Sequence, residues 1–445
     1  MSQVHGTAAS TEEAQGEVIT KKLIGVRQIV LNRPKRLNAL NLNMIRAITP
    51  KVLAWNGSGL ANIITLKGNG RALCAGGDVR SVVEAAKANH PDTPEYFTSE
   101  YQLNHLIACL DTPYISIMDG ITMGGGIGLS VHAPFRIATE NTMFAMPETA
   151  IGLFPDVGGS FFLPRLDGEI GTYLGLTGAR LQAEDVLFAG IATHFVPSSR
   201  LEALETRLSE LESSNYDVIN SAIEEFAADY DPEVKFSLGG ETRKAVDRCF
   251  KFNTVEEIIE ALDKESTEWA TKTKAILMEM SPTSLKVTLQ QLRIGAKRSI
   301  TDCFKMEHKL AEKFVVSKDF HEGVTAKLVN RTTPKWDPST LADISNDSII
   351  SEYFEAPAER QLNLLSPKDF KQYPFRKYGL PSEEDIRRVV TGDAADAILA
   401  EPITSNDIVD WFIREQHGKF GVEQKVREVL NRKTKIEGDV LRWVY

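Results

Sequence analysis

The sequence predicts an α/β protein with a largely parallel sheet covered by helices. Apolar, strand-like segments alternate with amphipathic helical segments through the first half of the chain. Twice a strand runs into a glycine-rich turn that opens a helix, once around Gly77 and once around Gly125. With 445 residues the chain is longer than one ordinary core requires, so an added domain is expected.

Composition and charge narrow the function classes. An apolar share of 42% and a charged share of 25% are typical of globular proteins. The net charge of −10 argues against general binding to nucleic acids or anionic membranes, and no apolar run is long enough to span a bilayer. The four cysteines have no metal-ligand spacing, which predicts reduced thiols without a disulfide or a structural zinc site.

The N-terminal part is expected to start with a disordered tail over residues 1–17, which lacks the apolar core of a secretory signal. Short apolar runs and the residues that interrupt them then define the first elements. In chain order, the predictions are strands over Val18–Ile19 and Gly25–Leu31, a helix over Leu42–Trp55, a strand over Ala61–Leu66 and a helix over Thr98–Leu110.

A glycine-rich stretch from Pro113 to Arg165 is expected to carry the chemistry. Two apolar segments within it, Tyr114–Met118 and Phe135–Ala138, are interpreted as buried strands. Between them, three successive glycines at 124–126 let a ligand approach peptide N–H groups at the start of a helix that continues into an apolar run. The turn therefore predicts an anion or oxyanion site or, alternatively, only tight packing of a helix against a strand.

Two carboxylates follow this turn in apolar loops. Glu148 comes just after a strand, and Asp156 lies eight residues further on, in a Pro-Asp-Val-Gly-Gly turn. Partial burial raises the pKa of a carboxyl group and suits it to act as a base or a nucleophile. Two structural alternatives stay open, since Glu148 could cap the next helix and Asp156 could bond to the backbone of its own turn.

Eight sequence motifs keep a fixed order between Lys21 and Trp336. They are Arg33-Pro34, Asn38-Ala39-Leu40, Ala75-Gly76-Gly77-Asp78, Asp119 to Gly126, Phe144 to Gly159, Ser281 to Lys286, Asp319 to Val324 and Pro334-Lys335-Trp336. Together they resemble the enoyl-CoA hydratase/isomerase (crotonase) superfamily. Within it they are most similar to the 3-hydroxyisobutyryl-CoA hydrolases of the mitochondrial fungal type, which are thioesterases of valine degradation.

The resemblance implies a crotonase-like ββα spiral core. In this fold two backbone N–H groups, here those of Gly77 and Gly125, form an oxyanion hole for the carbonyl oxygen of an acyl-CoA thioester. Hydratases of the superfamily also use two glutamates, which correspond to Gly128 and Glu148 in this chain. Because Gly128 carries no acid, hydrolysis is favoured over hydration of a double bond, and an enoyl-CoA hydratase is the less favoured alternative.

The same resemblance implies roles for three acidic residues. Glu148 attacks the thioester to form a mixed anhydride, or else activates a water molecule that attacks it. Asp156 orients Glu148 or the water, and Glu100 binds the 3-hydroxyl end of the substrate. The substrate-binding set thus comprises Glu100, Gly125, Glu148 and Asp156.

Coenzyme A is large and anionic, so basic residues and the first glycine turn are expected to line its approach. Coenzyme A is part of the substrate, and neither a separate cofactor nor a metal ion is predicted. The candidate CoA-binding residues are Arg36, Ala75, Asp78 and Arg80.

The remainder of the chain is expected to be mostly helical. Residues 18–212 are assigned to the spiral core, 213–340 to a helical C-terminal subdomain of the hydrolase, and 341–445 to a C-terminal extension with a linker rich in proline and aromatic residues. Helices are predicted over Gly168–Leu176, Gln182–Ala189, Ser199–Leu211, Tyr216–Tyr230, Thr254–Thr273, Ser284–Gly295, Thr301–Val316, Leu341–Phe354, Ile386–Val390, Ser405–His417 and Val422–Asn431.

The extension points to a second function class. Some mitochondrial proteins that resemble these hydrolases are subunits of the small mitochondrial ribosomal subunit, so this chain could serve as an interaction protein with or without activity. The basic and aromatic segment Lys368–Tyr378 is the expected contact with ribosomal proteins. The resemblance also implies a place in the mitochondrial matrix and allows a homo-oligomer, and neither direct nucleic-acid binding nor membrane association is expected.

Overall fold

The structure, a computed structural model, describes residues 16–444 apart from 60, 89, 91, 395–403 and 438–439. All but the last two residues of the predicted tail therefore lie outside the described residues. The strands of the described ranges are β1 Val18–Lys22, β2 Val26–Leu31, β3 Ile63–Gly68, β4 Ala72–Cys74, β5 Tyr114–Met118, β6 Ile121–Met123, β7 Phe135–Ala138, β8 Met143–Ala145, β9 Leu181–Gln182, β10 His194–Phe195, β11 Thr434–Glu437 and β12 Val440–Trp443.

The helices alternate with these strands up to β10 and then dominate the chain. They are α1 Leu42–Trp55, α2 Val79–Lys87, α3 Asp92–Ala108, α4 Gly125–Gly128, α5 Gly159–Phe162, α6 Ile170–Thr177, α7 Glu184–Phe188, α8 Leu201–Glu210, α9 Tyr216–Glu224, α10 Gly240–Phe250, α11 Val255–Glu265, α12 Glu268–Glu279, α13 Pro282–Gly295, α14 Ile300–Phe314, α15 Lys318–Gly323, α16 Asn346–Ile349, α17 Glu383–Val390, α18 Ser405–Glu415 and α19 Val422–Lys433.

Two sheets form the α/β core. The larger has the strand order β1-β2-β3-β5-β7-β10 and is parallel except for the pair β1–β2. The smaller has the order β4-β6-β8-β9, in which only β9 is antiparallel to its neighbour. One strand of the larger sheet is followed by one of the smaller and then by a helix, as in β3-β4-α2 and β5-β6-α4. This repeat confirms the predicted ββα spiral core.

Local sequence sets several helix boundaries. Helix α1 has the predicted bounds because Asn41 accepts the N–H of Met44 as N-cap. The single helix predicted over Thr254–Thr273 is wrong, since Ser266 has a φ of 55° that ends α11 and Thr267 then caps α12. The helix after the second glycine turn ends early, at Gly128, and the apolar run that follows it lies in turns.

Three hydrophobic cores organise the packing, one of which lies between the second face of the larger sheet and helices α8 and α9. The main core joins one face of the larger sheet to α1, α3, α13 and α14, and it also includes Tyr353 and Leu362 from the extension. The core of the extension lies between α17, α18 and α19. Leu380 packs against the main core and the core of the extension, so the change from one to the other falls near this residue.

All four cysteines are buried free thiols. Among the described helices, none is both long enough and apolar enough to cross a membrane.

The proline and aromatic segment before α17 is packed against the core. Phe375 stacks on Tyr216 with ring centroids 4.8 Å apart. The hydroxyl of Tyr373 donates to the carbonyl oxygen of Ala133 at 2.6 Å. The aromatic rings of Lys368–Tyr378 thus contact the core of their own chain, while the basic residues of the segment are exposed. Contact of this segment with ribosomal proteins stays a prediction.

A buried ionic network joins the core to the extension. Arg243 of α10 is 1% exposed, and its Nη2 donates to the carbonyl oxygen of Asp167 at 2.7 Å and to Glu383 at 3.0 Å. Lys425 contacts the carboxylate of Asp167 at 2.7 Å, and Arg432 pairs with Glu383. Each buried charge in this network has an opposite charge beside it, which is the condition under which burial of charge is tolerated.

Arg243→Ala is expected to lower the free energy of unfolding by about 3–5 kcal/mol, because it leaves the largely buried carboxylates of Asp247 and Glu383 without one of their cationic partners. Urea denaturation followed by circular dichroism measures this loss. The matched control is Arg248→Ala on the same helix, where a half-exposed arginine pairs with Glu265 and a change within about 1 kcal/mol is expected. Equally small losses for both variants would contradict the importance of the network.

Candidate active site

The two glycine-rich turns lie side by side at the ends of β4 and β6, which are neighbours in the smaller sheet. A Cβ built on Gly125 would lie 3.3 Å from the amide nitrogen of Gly77. The carbonyl oxygen of Gly76 and the N–H of Asp78 form backbone hydrogen bonds with Leu40. The N–H of Gly77, which lies between them, therefore points away from Leu40. Gly125 is the first residue of α4, where an N–H has no acceptor within its own helix. The arrangement can thus present two N–H donors to one oxygen atom.

The glycines of the second turn meet two different needs. A Cβ on Gly126 would lie 2.3 Å from the carbonyl oxygen of Cys74, so this glycine allows close packing against β4. A Cβ on Gly125 would instead lie 2.6 Å from Oε1 of Glu100. The two alternatives drawn from the sequence therefore apply to different residues: Gly126 serves packing, and Gly125 faces acidic side chains.

The first turn is braced by the loop that precedes α1. Asn38 is fully buried in the left-handed region, with φ 55°, and its amide donates to the carbonyl oxygens of Ala72 at 2.8 Å and Asn69 at 3.0 Å. Its side-chain oxygen accepts the N–H of Arg33 at 2.7 Å. The Arg-Pro and Asn-Ala-Leu motifs thus support the Gly77 turn from outside the site.

Glu148 and Glu100 face the second turn from different elements. Glu148 is 5% exposed at the first position of a short 3₁₀ helix, and its Oε1 lies 2.9 Å from where a Cβ of Gly124 would sit. Glu100, from α3, is 2% exposed and lies against Gly125. Oε2 of Glu148 and Oε1 of Glu100 have no hydrogen-bond partner in the described part of the chain. Pro147 occupies the N-cap position of this short helix and Glu148 is its first residue, so Glu148 is not the helix cap that the sequence allowed as an alternative.

Asp156 is 4% exposed and takes part in the same site through α3. The hydroxyl of Tyr101 donates to its Oδ2 at 2.7 Å, and the backbone of its own turn also contributes a hydrogen bond. The turn alternative therefore accounts for only part of its environment. The buried hydrogen bond from Tyr101 fixes the position of the Asp156 carboxylate.

Burial is the main electrostatic influence on the three carboxyl groups. It raises the pKa of Glu148 well above its ordinary range, and the charge of Asp156 adds to this effect. The pKa of Glu100 is raised by the same two causes. Burial raises the pKa of Asp156 to about 6, although the hydrogen bond from Tyr101 lowers it. Groups perturbed in this way suit proton transfer or nucleophilic attack near neutral pH.

The turn that carries Asp156 is strained and is held by distant residues. Val157 has a φ of 53°, which is unfavourable for a β-branched side chain, and Nε2 of His132 donates to its carbonyl oxygen at 2.8 Å. Glu307 of α14 accepts the N–H of Gly158 at 2.7 Å and that of Ser160 at 2.8 Å. The local sequence of the turn shows no sign of Glu307, which lies about 150 residues further along the chain.

Helix α3 contributes more to the site than Glu100 alone. The hydroxyl of Tyr96 donates to the carbonyl oxygen of Leu40 at 3.1 Å and lies 2.5 Å from where a Cβ of Gly77 would sit. Tyr96, Glu100 and Asn104 are four residues apart and so share one helix face. This spacing of polar residues on a buried helix is a sequence feature that could have revealed them.

The residues predicted to contact coenzyme A lie around the Gly77 turn. Arg36 and Arg80 are exposed, whereas Ala75 and Asp78 are half-buried. The carboxylate of Asp78 accepts a hydrogen bond from Arg33 at 3.1 Å, so the negative charge of Asp78 is paired with the guanidinium of Arg33. Contact of these residues with coenzyme A stays a prediction.

The geometry restricts the chemistry that the site can perform. Two N–H donors can polarise a carbonyl group. The buried carboxylate beside them can attack that carbonyl group or move a proton next to it. The position three residues after Gly125 is Gly128, and a side chain there would meet Val157 at 2.6 Å. An acid therefore has no room at that point of the site.

Known proteins with similar sequences indicate one family for this chain. Residues 26–354 match the family model for enoyl-CoA hydratase/isomerase. The small ribosomal subunit protein mS47 of Neurospora crassa is 46% identical over 441 residues, which cover 94% of this chain and 85% of that protein. The mitochondrial 3-hydroxyisobutyryl-CoA hydrolase of Danio rerio is 45% identical over 368 residues, which cover 82% of this chain and 96% of that protein.

A solved structure is also similar over most of the chain. The crystal structure of a carnitinyl-CoA dehydratase from Mycobacterium thermoresistibile superposes with a TM-score of 0.72 and 34% sequence identity. The match covers 79% of this chain and the whole of the other.

Proposed function

This chain belongs to the enoyl-CoA hydratase/isomerase family, and from that premise we propose that it hydrolyses 3-hydroxyisobutyryl-CoA to 3-hydroxyisobutyrate and coenzyme A. The observation that carries the proposal is the distribution of acids around the paired glycine turns. Glu148 faces them, whereas Gly128 and its close packing leave no room for an acid three residues after Gly125, which is the position of the second glutamate in hydratases. Identity of 45% to a hydrolase of that name supports the choice of substrate.

The reaction starts with the thioester carbonyl oxygen between the N–H groups of Gly77 and Gly125. Glu148 attacks the carbonyl carbon, the C–S bond breaks, and coenzyme A leaves as a thiolate that takes up a proton. The resulting mixed anhydride is hydrolysed by water, which returns the Glu148 carboxylate and releases the acid. Asp156 orients Glu148 or the water, and Glu100 binds the hydroxyl end of the acyl chain.

A general-base route is the alternative to this covalent one. In it Glu148 takes a proton from a water molecule that attacks the thioester directly. Single turnover in oxygen-18 water identifies the covalent route where water attacks the enzyme carbonyl of the anhydride, because only that attack places the label in Glu148. Trapping of the anhydride with hydroxylamine identifies the covalent route where water attacks the acyl carbonyl instead. Mass spectrometry of the peptide that contains Glu148 measures the label.

A panel of acyl-CoA thioesters with detection of free thiol tests the proposed function. The purified full chain should release thiol fastest from 3-hydroxyisobutyryl-CoA and more slowly from acetyl-CoA and from straight-chain acyl-CoA. Release from none of these thioesters, or preference for an unsubstituted acyl chain, would overturn the proposal.

The pH dependence of this hydrolysis should report the Tyr101–Asp156 hydrogen bond. In Tyr101→Phe the hydrogen bond that favours ionised Asp156 is lost, so its pKa rises above about 6 and the acid limb of kcat/KM moves to higher pH. Initial rates measured across the acid range give this shift. Tyr114→Phe is the matched control, since the Tyr114 hydroxyl is buried without a partner among the described residues. An acid limb that stays in place in Tyr101→Phe would contradict the role of this pair.

A second candidate function rests on how much of this chain each relative covers. The ribosomal protein aligns with 94% of this chain and the hydrolase with 82%, so the former match extends further. We propose that the chain also acts as a component of the mitochondrial small ribosomal subunit, through its C-terminal extension. Sedimentation of native extract should show the chain with that subunit, and migration only as a free protein would exclude this function.

The proposed location follows from the same relatives. The hydrolases of Danio rerio and Homo sapiens, each 45% identical to this chain, are mitochondrial by name. We propose the mitochondrial matrix as the compartment, and fractionation with an antibody against the full chain tests it.

A further inference from the structure

Helix α3 presents a second polar side chain one turn beyond Glu100. Asn104 is fully buried, and both its amide nitrogen and its amide oxygen have no hydrogen-bond partner in the described part of the chain. Oε1 of Glu100, on the same helix face, has no partner either. Buried polar atoms are nearly always hydrogen-bonded, so three such atoms on one face indicate a polar ligand.

The amide of Asn104 lies against the same short helix as the candidate oxyanion hole. A Cβ on Gly128 would sit 2.7 Å from its Oδ1 and 2.9 Å from its Nδ2, just as a Cβ on Gly125 would meet Glu100. Gly125 and Gly128 are three residues apart, and Glu100 and Asn104 are four, so each pair spans about one helical turn. The Asn104 amide therefore extends the wall that Glu100 begins.

This pair of side chains has the hydrogen-bonding capacity for a hydroxyl group. An amide offers donors and an acceptor, and a carboxyl group accepts in its ionised form and also donates in its protonated form. A single hydroxyl can therefore accept from Asn104 and donate to Glu100, or the reverse. The amide holds a hydroxyl without exchanging protons with it, in contrast to an acid.

We infer that Asn104, together with Glu100, binds the hydroxyl group of the acyl chain and makes the site selective for hydroxyacyl thioesters. The inference rests on the proposed function, because it takes the acyl chain to lie beside Gly125. It adds a specificity-determining residue that lies outside the eight sequence motifs.

The test compares one substrate pair in wild-type protein and in Asn104→Leu, which keeps the shape of the side chain and removes its polar atoms. The pair is 3-hydroxyisobutyryl-CoA and isobutyryl-CoA, which differ only in the hydroxyl group. The ratio of their kcat/KM values should fall by about tenfold or more, mainly through a higher KM for the hydroxyacyl substrate. Gln102→Leu, on another face of α3, is the matched control and should leave the ratio unchanged.

The ratio does not depend on how much of a variant is folded, because both substrates report on the same active molecules. Should Asn104→Leu yield no active protein, Asn104→Ala removes the same atoms without added apolar bulk and carries the same prediction. An unchanged ratio in either active variant would overturn the inference and leave the amide with a packing role or a bound water. Wild-type protein that releases no thiol from either thioester would instead overturn the proposed function.

Discussion

Glu148→Gln is expected to reduce kcat for thioester hydrolysis by about 10³-fold or more, because the amide can neither attack the carbonyl carbon nor accept a proton from water. The substitution keeps the size of the side chain, and Oε1 of Glu148 lies where only the missing Cβ of Gly124 leaves room for it. The fold should therefore remain intact. Free-thiol release under substrate saturation measures the loss, and thermal unfolding checks the fold.

The matched control for this change is Glu202→Gln, at an exposed position of α8. It makes the same chemical change far from the glycine turns, and its kcat should equal that of the wild type. Normal hydrolysis by Glu148→Gln would remove the basis for both the covalent and the general-base route.

Gly125→Ala is expected to lower kcat/KM by about 10²–10³-fold, which is the usual effect of losing one oxyanion donor. Alanine keeps the N–H, but its methyl group would lie 2.6 Å from Oε1 of Glu100 and 3.3 Å from the Gly77 nitrogen. The methyl group thus displaces Glu100 and occupies the space next to both donors. Steady-state hydrolysis of the hydroxyacyl thioester measures the result.

Gly59→Ala is the control for Gly125→Ala, because a Cβ on Gly59 meets nothing within 4 Å. It should change neither the activity nor the midpoint of thermal unfolding. Wild-type activity in Gly125→Ala would contradict the assignment of this turn to the oxyanion hole.

Local sequence was sufficient for the parts of the fold that depend on near neighbours. The N-cap at Asn41 defines the start of α1. The glycine turns indicate two strand-to-helix junctions, which lie side by side because β4 and β6 pair in the smaller sheet. The proximity of Glu148 to the second turn follows from the pairing of β6 with β8, which the alternation of strands and helices makes probable from sequence.

Interactions between distant parts of the chain could not be predicted in this way. Glu307 supports the turn of Asp156 from α14, and nothing near either residue in sequence indicates the other. The aromatic segment at 368–378 has the composition of an exposed contact, but its rings pack against apolar residues of the cores. A break such as the one at Ser266 depends on a single left-handed residue that helical periodicity does not reveal.

The most direct test of the central claim, that this site hydrolyses a thioester and does not hydrate or dehydrate the acyl chain, is to follow both bonds in one reaction. Purified chain is mixed with 3-hydroxyisobutyryl-CoA or with the corresponding α,β-unsaturated thioester, and free thiol and double bond are quantified together. The hydroxyacyl thioester should give one thiol per molecule consumed without formation of a double bond. Interconversion of the two thioesters without release of thiol would contradict the claim.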